Sequence, residues 1–366
     1  MALSVGIVGL PNVGKSTLFN ALSDAGAEAA NYPFCTIDPN VGIVPVPDPR
    51  QDALVKCVEP DKIVPTTIEF LDIAGLVRGA SKGEGLGNQF LAHIRGVDAI
   101  CHVVRCFVDE NVVHVDGRID PASDMETIDT ELMLRDIASV ENRRDRARKN
   151  SKGGSPEEKQ ALEVTDRVLA ALEKGIPVRA QTISADDNLV LEPLALLTNK
   201  PVLYVANVAE DALARDLDDP AVQPVVERAK REGAEVAVIS ASIESEIARL
   251  DPADQREFLA GIGLEEPGLH RLIRKAYALL DLITYFTAGK QEVRAWTIPR
   301  GTLAPQAAGK IHSDFERGFI RAEVMRWSDL VELGSEAAVR SKGLLRSEGK
   351  EYVMQDGDVV HYRFNV

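Results

Sequence analysis

The chain begins with the apolar and β-branched run Leu3-Ser4-Val5-Gly6-Ile7-Val8, which ends at Gly9; apolar residues then recur at helical spacing from Leu18. A short apolar run closed by glycine predicts a buried strand, and the period that follows predicts a helix. Further β-rich runs occupy residues 66–73, 99–104 and 202–206, and another ends around Val238-Ile239. Strands alternating with helical patterns predict an α/β domain with a mostly parallel sheet.

The alternation breaks after residue 104. Ser123-Asp124-Met125-Glu126 has the form of a capping box, followed by Ile128, Leu132, Ile137 and Val140 on roughly one helical face. Lys152-Gly153-Gly154 interrupts that pattern. Ser155-Pro156-Glu157-Glu158 then supplies a cap, a first-turn proline and a box glutamate for a second helix through Leu162, Val168, Leu169 and Leu172. Two antiparallel helices, an inserted arm over about residues 123–178, are the simplest solution. Residues 293–298 and 358–364 are β-rich, with a helical pattern from Ile311 to Gly318 between them. This predicts a first domain over residues 1–280 and a small α+β domain over 281–366. Internal repeats and low-complexity tracts are absent.

Between the first strand and the first helix, Gly9 to Ser16 fits G-x-x-x-x-G-K-[ST] in its required strand–loop–helix context. Glycine lets backbone N–H groups close on a phosphate, and the helix N-terminus adds its own. Asn12, Val13, Gly14, Lys15, Ser16 and Thr17 are therefore the candidate phosphate-binding stretch. Lys15 would reach the β- and γ-oxygens, and the Ser16 hydroxyl would take Mg²⁺. Asp72, at the end of a β-rich run and followed by Ile73-Ala74-Gly75, can hold a Mg²⁺-bound water, and the Gly75 amide can sense a γ-phosphate. Thr36, in Asn31-Tyr32-Pro33-Phe34-Cys35-Thr36, is placed to complete the metal shell, with a plain loop threonine as the alternative.

Guanine readers carry Asn-Lys-x-Asp after a late strand. Asn199-Lys200-Pro201-Val202 lacks the acid and precedes its strand, whereas ligand loops follow strands in open α/β sheets. The matching position is Asn207-Val208-Ala209-Glu210. Glu210 is one methylene longer than aspartate and cannot readily hold the bidentate guanine geometry, so ATP is favoured. Ser240 and Ala241 would supply backbone contacts to the base. Where a water-orienting glutamine is usual, the chain has Leu76. His114 is then a candidate for that work, a solvated loop histidine being the alternative, while Asn12 could help bind K⁺. The glycine-rich run from Gly75 to Gly87 reads as a switch segment.

The 366 residues are 45% hydrophobic, with 42 basic and 57 acidic side chains and a net charge of −15. Such a chain does not bind nucleic acid by global attraction. A local patch stands out near the arm tip: Arg143, Arg144, Arg146, Arg148 and Lys149, read either as a solvated helix face or as a ribosomal-RNA contact. Four cysteines match neither a zinc spacing nor a disulfide framework. With no basic leader and no window near 18 uninterrupted apolar residues, a cytoplasmic protein without a membrane partner is expected. Six scattered histidines leave a metal hydrolase without a ligand set.

Together, the 9–17 loop, Asn31-Tyr32-Pro33-Phe34-Cys35-Thr36-Ile37-Asp38-Pro39-Asn40, Asp72-Ile73-Ala74-Gly75-Leu76, Asn207-x-x-Glu210 and Ala307-Ala308-Gly309-Lys310-Ile311-His312-Ser313-Asp314-Phe315 resemble the YchF-type Obg-like ATPases of the TRAFAC P-loop class. The resemblance spans essentially the whole chain. It implies an OBG-type G domain with a coiled-coil arm, a C-terminal TGS domain of β-grasp fold, and hydrolysis of ATP in preference to GTP. It also implies Ser16 and Thr36 on Mg²⁺, a histidine at the His114 position acting in place of the glutamine, K⁺ stimulation through Asn12, and association with the ribosome (large subunit or 70S) in translation or stress regulation. Two other readings stay open: a guanine-specific GTPase switch, and a ribosome- or RNA-binding adaptor with a structural nucleotide.

Overall fold

The computed structural model describes residues 3–26, 40–73, 86–109, 112, 117–153 and 155–365. In chain order its strands are β1 (Ser4–Val8), β2 (Val41–Pro45), β3 (Ile63–Val64), β4 (Thr67–Asp72), β5 (Ala99–Arg105) and β6 (Val202–Asn207). They continue with β7 (Glu235–Ile239), β8 (Leu282–Ala288), β9 (Val293–Pro299), β10 (Phe319–Arg326), β11 (Arg346–Glu348) and β12 (Asp358–Phe364). The first five helices are α1 (Lys15–Gly26), α2 (Pro49–Val58), α3 (Leu86–Gly96), α4 (Pro121–Asn150) and α5 (Pro156–Leu172). The chain forms two compact units, Met1–Val44 with Glu69–Ala276 and Pro45–Ile68 with Tyr277–Val366. This differs from a single cut near residue 280, because residues 45–68 join the second unit.

The first unit is built on the sheet order β2-β4-β1-β5-β6-β7. β4, β1, β5, β6 and β7 are successive parallel neighbours. All five residues of β1 and all seven of β5 are buried, as continuous apolar strands in a covered parallel sheet should be. The chain places β4 on one side of β1 and β5 on the other, and at such a reversal of strand order the carboxyl ends open a ligand crevice.

α4 has 30 residues, about 45 Å of helix, and turns back through Ser151–Gly153 into the 17-residue α5. Its cap is Asp120, whose carboxylate accepts the Ser123 amide at 3.1 Å, with Pro121 in the first turn. The cap expected at Ser123 is thus displaced by three residues: a carboxylate followed by proline ends the chain's extended stretch earlier than the hydroxyl could. Ser155 caps α5 as expected, accepting the Glu158 amide at 3.3 Å. Met133 and Val140 of α4 pack with Val164, Val168, Leu169 and Leu172 of α5. Buried Asp136 fixes the arm's base by accepting from the Leu197 amide (2.8 Å), the Thr198 amide (2.8 Å) and the Thr198 hydroxyl (2.7 Å).

The second unit has the sheet order β11-β10-β12-β8-β9-β3. β8 and β9 form an antiparallel hairpin, β12 lies parallel to β8, and β10 runs antiparallel to β12. The helix Ala304–Ile311 joins β9 to β10 and buries Ala304, Ala307 and Ala308 against Tyr285, Val324 and Val360. This is the β-grasp arrangement. The helical pattern expected from Ile311 to Gly318 resolves into the end of that helix and a short one, Ser313–Arg317. They are separated at His312, whose backbone is extended (φ −161°, ψ 141°). On the other sheet face, Leu54 of α2 packs among Phe286, Val293, Leu330 and Val359, and β3 pairs in parallel with β9. These contacts draw residues 45–68 into this unit. Among the described residues no helix is long and apolar enough to cross a membrane.

Candidate nucleotide site

The carboxyl ends of four strands gather here: β1 and β4 end side by side, Ile7 pairing with Asp72, while β5 and β6 run past β1, Val8 pairing with His102, and end together where Arg105 pairs with Asn207. The loop from Gly9 to Gly14 leaves β1 at this edge. A Cβ at Gly9 would come within 2.5 Å of the Val103 carbonyl oxygen, so the loop lies against β5 too closely for any side chain. Gly14 has φ +98°, and a Cβ there would fall on the Asn207 side-chain nitrogen. Asn12, at φ 62°, is a left-handed residue in the same turn. These conformations turn the loop around a central space.

Lys15 opens α1 and is buried; its ammonium donates to the Leu10 carbonyl at 2.7 Å. Burial lowers its pKa, and the Asp72 carboxylate opposes that shift. Burial likewise raises the Asp72 pKa, opposed by Lys15. The two groups thus stabilise each other's charged forms at the mouth of the loop. Ser16 and Thr17 are exposed, and the first-turn amides of α1 have no partner within the helix. The Leu18 amide, at 2.9 Å from the Gly14 carbonyl, makes an early bond of the helix ladder.

Asn207 links this loop to the next strand end. Its Nδ2 donates to the Val13 carbonyl at 2.9 Å, and its Oδ1 accepts the Ala241 amide at 2.9 Å. The Ala241 amide is therefore engaged by Asn207, and Ser240, fully buried, faces the Ser242 hydroxyl at 3.1 Å. A cavity of about 370 Å³ lies alongside, lined by Gly14, Thr17, Asn207, Val208, Glu210 and Ala241 together with Phe107, Val108, Asp109 and Val112. Glu210 is exposed at its rim.

The structure thus brings together the 12–17 stretch, Asp72 and the 207–210 turn. Thr36, Gly75, Leu76 and His114 lie outside the described residues. His102 is buried in β5, and burial pushes its pKa down to about 4, as befits a core histidine. The arm-tip patch is partly neutralised: Arg143 pairs with Glu158 at 2.9 Å, Arg144 with Asp145 at 3.7 Å and Arg148 with Asp166 at 3.9 Å. Sequence reasoning missed the cavity wall after β5. Its one signal is a charged residue, Arg105, ending a fully buried strand.

A glycine-shaped loop between a buried strand and a helix, with its lysine inside and an asparagine-bearing turn across a cavity, defines a P-loop NTPase domain of the G-protein type. The family profile described as 50S ribosome-binding GTPase matches residues 4–142, and the C-terminal profile of YchF-type GTPases, described as a protein of unknown function, matches residues 282–365. Proteins called ribosome-binding ATPase YchF from Bacillus subtilis and Pasteurella multocida are 56% and 55% identical, each over the full length of both chains. A solved structure described as the Schizosaccharomyces pombe YchF GTPase superposes with a TM-score of 0.89 at 39% identity, covering 99% of this chain and 97% of that one. The chain belongs to the YchF family.

Proposed function

We propose that this chain is an ATPase switch: it binds and hydrolyses ATP in preference to GTP at the 9–17 loop and the 207–210 turn, and its nucleotide state governs association with the ribosome. The observation that carries the reading is the cavity joining the phosphate loop to an Asn-x-x-Glu turn. Its bacterial relatives are named ribosome-binding ATPases and the yeast structure a GTPase, so the base preference rests on Glu210. A carboxylate on a longer arm cannot meet guanine N1–H and N2–H₂ as aspartate does.

In this reading the first-turn amides of α1 and Lys15 hold the β- and γ-phosphates. Among the described residues no cluster of three or more His, Cys, Asp or Glu could hold a metal alone. The exposed Ser16 hydroxyl and the Asp72 carboxylate are oxygen donors of the kind Mg²⁺ takes, an ion that keeps waters and binds phosphate oxygens with one or two protein ligands. Ser16 and Thr36 would hold it, with Asp72 acting through water. When bound, the ion neutralises charge developing on the phosphates. Asn12 is assigned to K⁺, and His114 to orienting the attacking water in place of Leu76, with the Gly75 amide sensing the γ-phosphate. Residues 281–366, within the second unit, serve as the TGS domain. The exposed Arg146 and Lys149, with Arg148 only loosely paired, offer the arm's contact for ribosomal RNA, and a cytoplasmic location follows from such a partner.

The test is ATP turnover and ribosome co-sedimentation with ATP, ADP and no nucleotide, for the full chain and for Lys15→Ala. The reading expects turnover to vanish in the variant and ribosome binding to differ between states. Equal sedimentation in all three states, or a variant that hydrolyses normally, overturns it.

A further inference from the structure

Arg105 is the bulkiest side chain that the first unit hides from solvent, with 1% of its surface exposed. It ends β5, where a buried guanidinium needs partners for its N–H groups. It finds them in the segment that follows. Nε donates to the Phe107 carbonyl at 3.1 Å, one Nη to the Val112 carbonyl at 3.0 Å and the other to the Asp109 carbonyl at 3.3 Å. The same guanidinium lies over the Phe107 ring, 4.6 Å from its centroid. One cation thus gathers three carbonyls, those of Phe107, Asp109 and Val112. Phe107, Asp109 and Val112, the residues it holds, line the same cavity as Asn207 and Glu210.

We propose that Arg105 is a positioning residue for nucleotide recognition: it preforms the cavity wall facing the Asn207–Glu210 turn, and acts on the nucleoside end of the ligand while leaving the phosphate loop alone. The inference rests on the nucleotide reading above. Its physical basis is the fork geometry of arginine. A lysine at this position carries the same charge, but its single ammonium on a flexible stem cannot span carbonyls at both ends of the segment. A chain segment ordered before the ligand arrives costs the complex less entropy than one ordered on binding.

The test compares Arg105→Lys with the unaltered chain for two ligands in Mg²⁺: ATP, which uses loop and wall, and inorganic tripolyphosphate, which uses the loop alone. The expected result is ATP affinity reduced about tenfold or more, equivalent to about 1.4 kcal/mol, with tripolyphosphate affinity within twofold of the unaltered chain. Equal losses for both ligands would mean general damage, and unchanged ATP affinity would mean the wall does not need Arg105; either overturns the proposal. If the unaltered chain binds tripolyphosphate but not ATP, or neither, the nucleotide reading itself fails. A second measurement does not depend on the variant folding. The Val112 amide donates to the Asp109 carbonyl at 3.2 Å, a bond between two of the residues whose carbonyls Arg105 holds. Its hydrogen exchange in the unaltered, nucleotide-free chain should already be slow; exchange at the rate of an open loop contradicts a preformed wall.

Discussion

Asn207 offers the sharpest perturbation of the site. It is buried, and its amide bridges two backbone groups from distant parts of the chain: the Val13 carbonyl and the Ala241 N–H, both at 2.9 Å. Asn207→Ala removes both bonds and leaves a carbonyl and an N–H without their partner. At about 1–1.5 kcal/mol for each bond, plus part of the cost of burying an unmet group, the loss is about 2–4 kcal/mol. In a unit of this size that corresponds to roughly 5–10 °C in the midpoint of its thermal transition. ATP binding should weaken by about tenfold, because the carbonyl that Asn207 holds belongs to the phosphate loop. Asn207→Asp separates bonding from volume. It keeps the acceptor for Ala241 but sets an oxygen against the Val13 carbonyl, so it should cost at least as much as alanine despite its matching shape. Calorimetric melting and ATP titration of both variants provide the assay. An aspartate variant that melts and binds like the unaltered chain would refute the bridge as an organiser of the loop.

Lys15 is buried with a depressed pKa, so Lys15→Met should abolish ATP binding yet leave the nucleotide-free chain within about 1 kcal/mol of its original stability, the relieved desolvation offsetting the lost Leu10 bond; a large drop in melting temperature contradicts this. His102 has a folded-state pKa of about 4 against an ordinary 6.5, so the unfolded chain takes up its proton first as pH falls. Its contribution is intact above about pH 6.5 and is lost progressively toward pH 4, about 3 kcal/mol in all. His102→Gln should flatten the acid limb of a urea-denaturation pH profile by that amount, and an unchanged limb argues against the burial. Glu210→Asp should move the ratio of ATP to GTP dissociation constants toward guanine; a fixed ratio removes Glu210 as the discriminating group.

The first unit was largely legible because its signals are local. The run from Leu3, the loop to Ser16 and the runs before Asp72 and Asn207 each carry strand, turn and helix information within a few residues, and the structure places them at one sheet edge. Residues 45–68 were not legible in this way. β3 is only two residues long, and its pairing with Val293 and Arg294 spans more than two hundred positions of chain, so no periodicity marks it. The cap lies at Asp120 and not at Ser123 as the capping-box pattern suggested, with Pro121 directly after it favouring the earlier start. Arg105 was passed over, because its role depends on three carbonyl partners, those of Phe107, Asp109 and Val112, that no spacing rule specifies. The arm-tip arginines show the opposite failing: their like charge is plain in the sequence, while the carboxylates of Glu158 and Asp166 that temper it come from the other helix.

The most direct measurement is a side-by-side titration of the full-length chain with ATP and with GTP in the presence of Mg²⁺. A cavity closed by Gly14, Asn207 and Glu210 should retain both triphosphate tails but hold ATP more tightly. A chain that binds neither nucleotide, or that prefers GTP by tenfold, about 1.4 kcal/mol, would contradict the assignment at its root.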